Sequence, residues 1–255
     1  MIRRTILAAF LAIMLTGCAE VLQVLESVSS APLTEQEVAD GLKEALITGA
    51  GNAAGVLSAE DGYYGNMALR ILLPEEAQVV VDNIGRIPGG QRLVDDVVIR
   101  INRAAEDAAR EAGPVFASAI TGMTVNDAFG ILRGNDNAAT DYLRRTAGNE
   151  LYILYKPKIE ASTSKAIVGG VSTKESWERL TSTWNDFAVT TVGRLAGFNV
   201  VDTDLDHYLT MKALEGLFTK VEEEELKIRT DISARVTPLM RRVFGTLDNG
   251  QQAED

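Results

Sequence analysis

Residues 205–229, LDHYLTMKALEGLFTKVEEEELKIR, decide the fold class. Leu214, Leu217, Phe218, Val221 and Ile228 recur at three- and four-residue intervals, the period of a helix and not of a strand. Thr203 with Asp206 predicts where this helix opens, and the pattern carries it from Leu205 to about Arg229. Within it, Glu222 to Glu225 look like a solvated charge run, with one exception. Glu225 lies four positions after Val221, near the middle of the apolar stripe. A carboxylate there must be paired or its charged form is strongly disfavoured. Arg70, Arg100 and Arg103 are the candidate partners, because the segments that carry them must pack somewhere on the same core. Such a buried or half-buried ion pair reads as a device of structural specificity before it reads as catalysis.

The rest of the chain repeats the helical period. Thr34 with Glu37 is a capping box, and Val38, Leu42, Ala45, Leu46, Gly49, Ala53 and Val56 form one face. The small residues of that face would let another helix approach closely. Asp61-Gly62 reads as a turn, and Met67 to Leu73 as extended or irregular chain before Pro74, which would start a helix using Ala77, Val80, Val81 and Ile84. Pro88-Gly89-Gly90 breaks the chain before a long helix from Leu93 to Ala112. Pro114 ends or kinks that helix, and a short one follows over Val115 to Ile120. Thr124 with Asp127 opens another, stopped by Gly134. Then come Ala138 to Thr146 and Glu150 to Ser164, with a kink or early break at Pro157, and Lys174 to Val192 with Trp177, Leu180, Trp184 and Phe187 on one side. Gly193 to Asp202 is apolar without a pattern and reads as loop; Thr237-Pro238 starts a last short helix, stopped by Gly245. The only strand candidates, Leu69 to Leu73 and Asn199 to Val201, are too short for a sheet. The expected fold is all-α, an irregular bundle of about eight helices in a single domain over residues 34–245, followed by a disordered acidic tail over 246–255.

The amino terminus has a different character. Arg3 and Arg4 precede an apolar run from Ile6 to Leu15, long enough for a secretory signal core and too short to span a bilayer. Leu15-Thr16-Gly17-Cys18 ends it, and Cys18 is the only cysteine in the chain. The arrangement looks like the bacterial lipobox: residues 1–17 would be a lipoprotein signal peptide, and Cys18 would carry the acyl chains, palmitate among them. Anchoring through two or more chains is stable, at ~0.8 kcal/mol per buried methylene. Ala19, in place of an aspartate, favours the outer membrane facing the periplasm over inner-membrane retention. Residues 18–33 then form the lipidated terminus and tether. Val21, Leu22, Leu25 and Val28 have helical spacing there, and they read as a partly helical linker rather than a stripe docked on membrane or domain. Fully extended, a tether of about fifteen residues keeps the domain within about 50 Å of the bilayer.

Without the leader and its two arginines the formal charge goes from −11 to −13. That acidity argues against nucleic acid, whose binding rests on Lys and Arg at the phosphates, and against the body lying flat on anionic lipid. With Cys18 acylated no thiol remains for a disulfide, so packing alone must hold the core. No later window is apolar enough for a transmembrane helix.

Several stretches resemble one bacterial family, the domain of unknown function 4197. They are Gly41-Leu42-Lys43-Glu44-Ala45-Leu46, Asp61-Gly62-Tyr63, Arg70-Ile71-Leu72-Leu73-Pro74 and Asn102-Arg103-Ala104-Ala105-Glu106. Further on come Leu205-Asp206-His207-Tyr208, Lys212 to Phe218, Glu223 to Arg229 and Val243-Phe244. The likeness spans residues 34–245, with Ala161 to Val201 departing from it. It implies a bacterial envelope protein, often with a lipoprotein signal, and carries no catalytic or binding residues.

The inventory for chemistry is thin. His207 is the only histidine, and no Gly-x-Ser-x-Gly turn, phosphate loop or dinucleotide fingerprint occurs. Asp204 and His207 are weak candidates for a polar site, set against an exposed histidine among carboxylates; no metal and no cofactor is expected. Trp177, Trp184 and Phe187 could line a pocket but more often form core. Three function classes stay open. The first is a non-enzymatic binding or scaffolding lipoprotein, anchored to the bilayer through Cys18 and partnered with another envelope protein. The second is a binder or carrier of an apolar ligand in a helical cavity. The third is a carboxylate-based hydrolase.

Overall fold

The structure is a computed structural model that describes residues 32–87 and 89–251. Ten α-helices are found among them: α1 Glu35–Leu57, α2 Gln78–Asn83, α3 Gly90–Ala109, α4 Ala112–Gly122 and α5 Ala128–Leu132. They continue with α6 Ala138–Ser164, α7 Thr173–Ala188, α8 Thr191–Leu195, α9 Leu205–Thr230 and α10 Pro238–Gln251. Short 3₁₀ turns flank α2 and precede α10. No strand occurs among the described residues; one isolated bridge joins Val168 and Val171 across the Gly169-Gly170 turn. The fold is all-α. Residues 1–31, with the leader, Cys18 and all of the tether but residues 32 and 33, lie outside the described residues.

The capping box of α1 forms: Glu37 N–H donates to Thr34 Oγ1, and Thr34 N–H to Glu37 Oε2 at 2.9 Å. Helix α1 lies at the centre with α4, α9 and α10 packed on it. The small residues of its face are what allow this. A Cβ on Gly41 would sit 2.7 Å from Val243 of α10, and one on Gly49 would sit 3.2 Å from Glu224 of α9. Val56, expected inward, is 55% exposed, and Leu57 takes the core position in its place. Helix α6 packs on the other side of α9, and α7 packs on α3.

Several boundaries differ from the sequence reading. One helix, α6, replaces the two expected over 138–164, and Pro157 lies inside it without breaking it. Ala139, Leu143, Ala147, Leu151, Tyr155 and Ile159 are all buried at four-residue spacing, and this continuous stripe outweighs one missing N–H. Pro157 and Ile153, whose carbonyl loses that N–H, are both exposed, which leaves the carbonyl open to solvent. Pro114 falls in the first turn of α4, where an N–H has no helical partner to lose. Asp127, not Thr124, caps α5, with φ of 55° and a bond from Gly130 N–H. Asp204, not Thr203, caps α9, accepting from His207 N–H at 3.0 Å. Helix α10 runs through Gly245 to Gln251, so residues 246–251 are helical where a disordered tail was expected. Arg235 holds that extension through both oxygens of Asp248, at 2.6 and 2.7 Å.

Candidate functional site

Glu225 is buried, 3% exposed, as its helical phase requires. Its cationic partner is Arg229, one turn on in α9 and itself 7% exposed, with Nη2 to Oε1 at 2.7 Å. Arg70, Arg100 and Arg103 do not pair with it. The remaining capacity of the carboxylate goes to the start of α6: Ala139 N–H at 3.0 Å, Thr140 N–H at 2.7 Å and Thr140 Oγ1 at 2.6 Å. Asn137, the N-cap of α6, makes no side-chain cap bond, so Glu225 caps that helix from a distance of 86 residues in sequence. Arg229 does the converse at the end of α5, donating to the carbonyls of Leu132 at 2.7 Å and Ile131 at 3.1 Å. The pair therefore joins one helix end to the next helix start, and its chemistry is fully consumed in doing so.

The three arginines each have other work. Arg100, 7% exposed, donates to Asp96 at 2.7 Å and to the carbonyls of Val168 and Val171, gripping the Gly169-Gly170 turn. Its guanidinium, with Ser176 Oγ, holds the Asp96 carboxyl below the ordinary range. Arg103 bonds Glu106 at 2.6 Å and Asp61 at 2.8 Å, while Glu106 accepts from the N–H groups of Tyr63 and Tyr64. That network fixes the Asp61-Gly62 turn, where Asp61 has φ of 66°. Arg70 donates to the Tyr64 carbonyl and stacks on the Tyr64 ring, 4.5 Å from its centroid. The partner choice was decided by reach: an i, i+4 pair within α9 needs no second element, whereas Arg70 and Arg103 are engaged at the 61–71 segment and Arg100 at the Gly169-Gly170 turn.

Asp204 and His207 belong to a helix start. The His207 ring is exposed and its Nδ1 lies 2.7 Å from Tyr152 Oη, in an edge-on contact with the Tyr152 ring. Among the described residues no group of three or more His, Cys, Asp and Glu is placed to hold a metal. Trp177 and Trp184 are core: Trp184 is fully buried between Phe187 and Phe198.

The feature that sequence reasoning missed is the outward face of α9. Tyr208, Met211, Lys212, Glu215, Thr219 and Glu222 follow one another along it at helical spacing. A cleft runs along each side of this face, whose Met211, Lys212 and Glu215 are exposed. On one side residues 68–73 form a cleft of about 330 Å³ with Tyr208, Lys212 and Glu215. On the other, Arg144 and Gly148 of α6 form a cleft of about 650 Å³ with Met211, Leu214 and Phe218. Lys212, Glu215 and Thr219 line both, so the two clefts adjoin along α9, and the pair is the trough of this face. Four of its charges are mutually paired: Lys212 with Glu215 at 2.9 Å, and Arg144 with Glu222 at 2.7 Å while stacked on Phe218. Tyr208 Oη donates to the Leu72 carbonyl, and burial first, then nearby glutamates, push its hydroxyl up to about 12. The signal in the sequence was Met211 in a row of polar residues, with Gly148 opposite.

A family model described as "Protein of unknown function (DUF4197)" matches residues 32–245, most of the chain, and the chain belongs to that family. The matched range includes residues 161–201, where the resemblance in individual residues lapses. Neither the curated proteins nor the solved structures contain a match.

Proposed function

We propose that this DUF4197 protein is an envelope lipoprotein, anchored through acylated Cys18, whose helical body binds a segment of another envelope protein in the trough along α9. The trough carries the reading. It combines an apolar lining (Met211, Leu214 and Phe218) with the ion pairs Lys212–Glu215 and Arg144–Glu222 at its edge, as interface surfaces have. These two pairs hold four of its charged groups. The carboxyls that depart from their ordinary range, among them Asp96, Asp107, Glu224 and Asp248, depart downward, whereas a carboxylate-based hydrolase wants one held up. Both halves of the trough open to solvent, which suits a peptide segment or helix face better than an enclosed apolar ligand. The leader pattern and Cys18 support the anchor, and Ala19 supports the outer membrane facing the periplasm.

The test is capture from envelope with a photo-crosslinking residue at Met211. Crosslinks to one protein that vanish in Gly148→Trp support the reading. A Cβ at Gly148 meets nothing within 4 Å, so the larger side chain fills the trough without disturbing the fold. Capture that is unchanged in Gly148→Trp and in Met211→Glu overturns it. Anchoring is read separately, from the mass of the Cys18 peptide and from loss of membrane association in Cys18→Ala.

A further inference from the structure

We infer that the α8 tip, residues 189–200, is a second membrane contact that dips apolar side chains into a lipid surface. Four large aliphatic side chains stand out there: Val189 is 50% exposed, Val192 63%, Leu195 85% and Val200 55%. A loose loop could show such values by chance, but this segment is held from behind. Trp184 Nε1 donates to the Asn199 carbonyl at 3.0 Å. The Asn185 amide makes a matched pair of bonds with Val201, donating to its carbonyl and accepting from its N–H. Thr190 caps α8 through Gly193 N–H. At the other end Gly197, with φ of 75°, closes it: Phe198 N–H reaches the Gly193 carbonyl and Gly197 N–H the Arg194 carbonyl.

Gly193 explains the direction in which the side chains point. A Cβ there would lie 2.4 Å from the Ala188 carbonyl oxygen, so α8 is pressed against the end of α7 along its Gly193 side. Val192 and Leu195, on the remaining faces, are turned out. Folding orders this platform yet leaves its apolar groups in water, where each keeps an unspent hydrophobic gain.

Charge identifies the occupant. Between Asp186 and Asp202 the sole charged residue is Arg194, in a chain of formal charge −11. The acidic body is repelled by anionic headgroups, but this tip offers them apolar groups and one cation, the composition of an interfacial segment. No helix among the described residues is long and apolar enough to cross a membrane, so the contact is a shallow one. Reach is not limiting. A body of about 220 residues has a radius of gyration of roughly 17 Å, so a tether of up to about 50 Å lets any face turn to the bilayer. The inference rests on the anchored reading for its supply of lipid, and the test separates the two.

The experiment places an environment-sensitive dye on Leu195→Cys in the full lipidated chain, reconstituted into vesicles of phosphatidylethanolamine and phosphatidylglycerol. With Cys18 acylated, the introduced thiol is the only reactive one. The expected result is blue-shifted emission quenched by spin-labelled lipid, while the same dye on Met67→Cys, 90% exposed on another segment, reports water. A dye at 195 that reports water as fully as the one at 67 overturns the inference. So does a blue shift without lipid quenching that grows with protein concentration, which would assign the tip to a second copy. In parallel, the Cys18→Ser chain is titrated with the same vesicles. Binding that falls about tenfold in Val192→Asp/Leu195→Asp supports the tip independently of acylation; binding that is absent, or unchanged in that variant, overturns it. An unacylated Cys18 peptide would sink the anchor while leaving this second readout standing.

Discussion

Removing both Glu225 and Arg229 is the informative perturbation of this fold, because an ordinary buried ion pair and a bridge between helix ends predict different outcomes. Glu225→Ala leaves Arg229, almost wholly buried, with its charge uncompensated, and breaking a buried pair this way costs ~3–5 kcal/mol. The double variant Glu225→Leu/Arg229→Met removes both charges and keeps the volume. For a pair that only satisfies itself, such a replacement is often neutral or stabilising. Here the backbone N–H groups of Ala139 and Thr140 and the carbonyl of Leu132 lose their partners too. The Ile131 carbonyl keeps the Gly134 N–H. Each buried orphan costs roughly 1–3 kcal/mol, and water reaching the loosened helix ends recovers part of it. The double variant should therefore stay at least ~2 kcal/mol less stable than the parent. With a urea slope of roughly 3 kcal/mol/M, the midpoint falls by about 0.7 M in the double variant and about 1–1.7 M in Glu225→Ala, read by circular dichroism. A double variant that unfolds at the parental midpoint would refute the capping role and leave only an ion pair.

Other changes test the packing and the titrating groups. Pro157→Ala should raise stability by about 1–3 kcal/mol, since the N–H it restores can bond the Ile153 carbonyl in a helix that is already continuous; a lower melting temperature would count against that. Gly216→Ala should cost about 1–3 kcal/mol by overpacking, because its Cβ would lie 2.7 Å from the ring of Tyr63, a fully buried side chain whose hydroxyl bonds the Ala213 carbonyl. The Asp96 carboxyl is held low by Arg100, Asp107 by Lys165 and Ser162 against the opposing effect of burial, and Asp248 by Arg235. Their contribution is present above the ordinary value of 3.8 and is lost as pH falls below it, so the urea midpoint should drop on acidification from pH 5 to 3. Burial raises the hydroxyls of Tyr63, Tyr155 and Tyr208, so their contribution is present below 10.0 and lost above it, and unfolding should accompany tyrosinate absorbance as pH rises past that value toward 12. Tyrosinate absorbance amounting to all six tyrosines at pH 10 with the helical signal intact would contradict this.

Helix class and the inward faces of α1 and α9 were legible because the apolar period is strong and the caps are local chemistry, as the Thr34–Glu37 box shows. Helix ends were less so. Pro157 reads as a kink or early break and Gly245 as a stop because propensity counts one residue at a time, while the buried stripe of α6 and the Arg235–Asp248 clasp on α10 are tertiary terms that outweigh it. Helix α8 escaped notice for the opposite reason. It is a single turn whose apolar residues point outward, so it has no amphipathic period to find.

The candidate site divides along the same line. Burial of Glu225 follows from the phase of α9 alone, but its partners do not, since two of them are backbone groups of α6 that any sequence would supply. Arg229 was legible in principle. It stands four residues on, where a carboxylate on an inward face most cheaply finds a cation, because the pair then closes within one turn and needs no second element to arrive. The trough was not legible, for a geometric reason. Tyr208, Met211, Lys212, Glu215, Thr219 and Glu222 read as an ordinary solvated face, and only the 68–73 segment and α6 on either side make the clefts that flank it. Concavity belongs to the spacing between elements, so a single helix's pattern cannot encode it. A charged row with one methionine in it, facing a glycine on the neighbouring helix, is the most that a sequence can show of such a place.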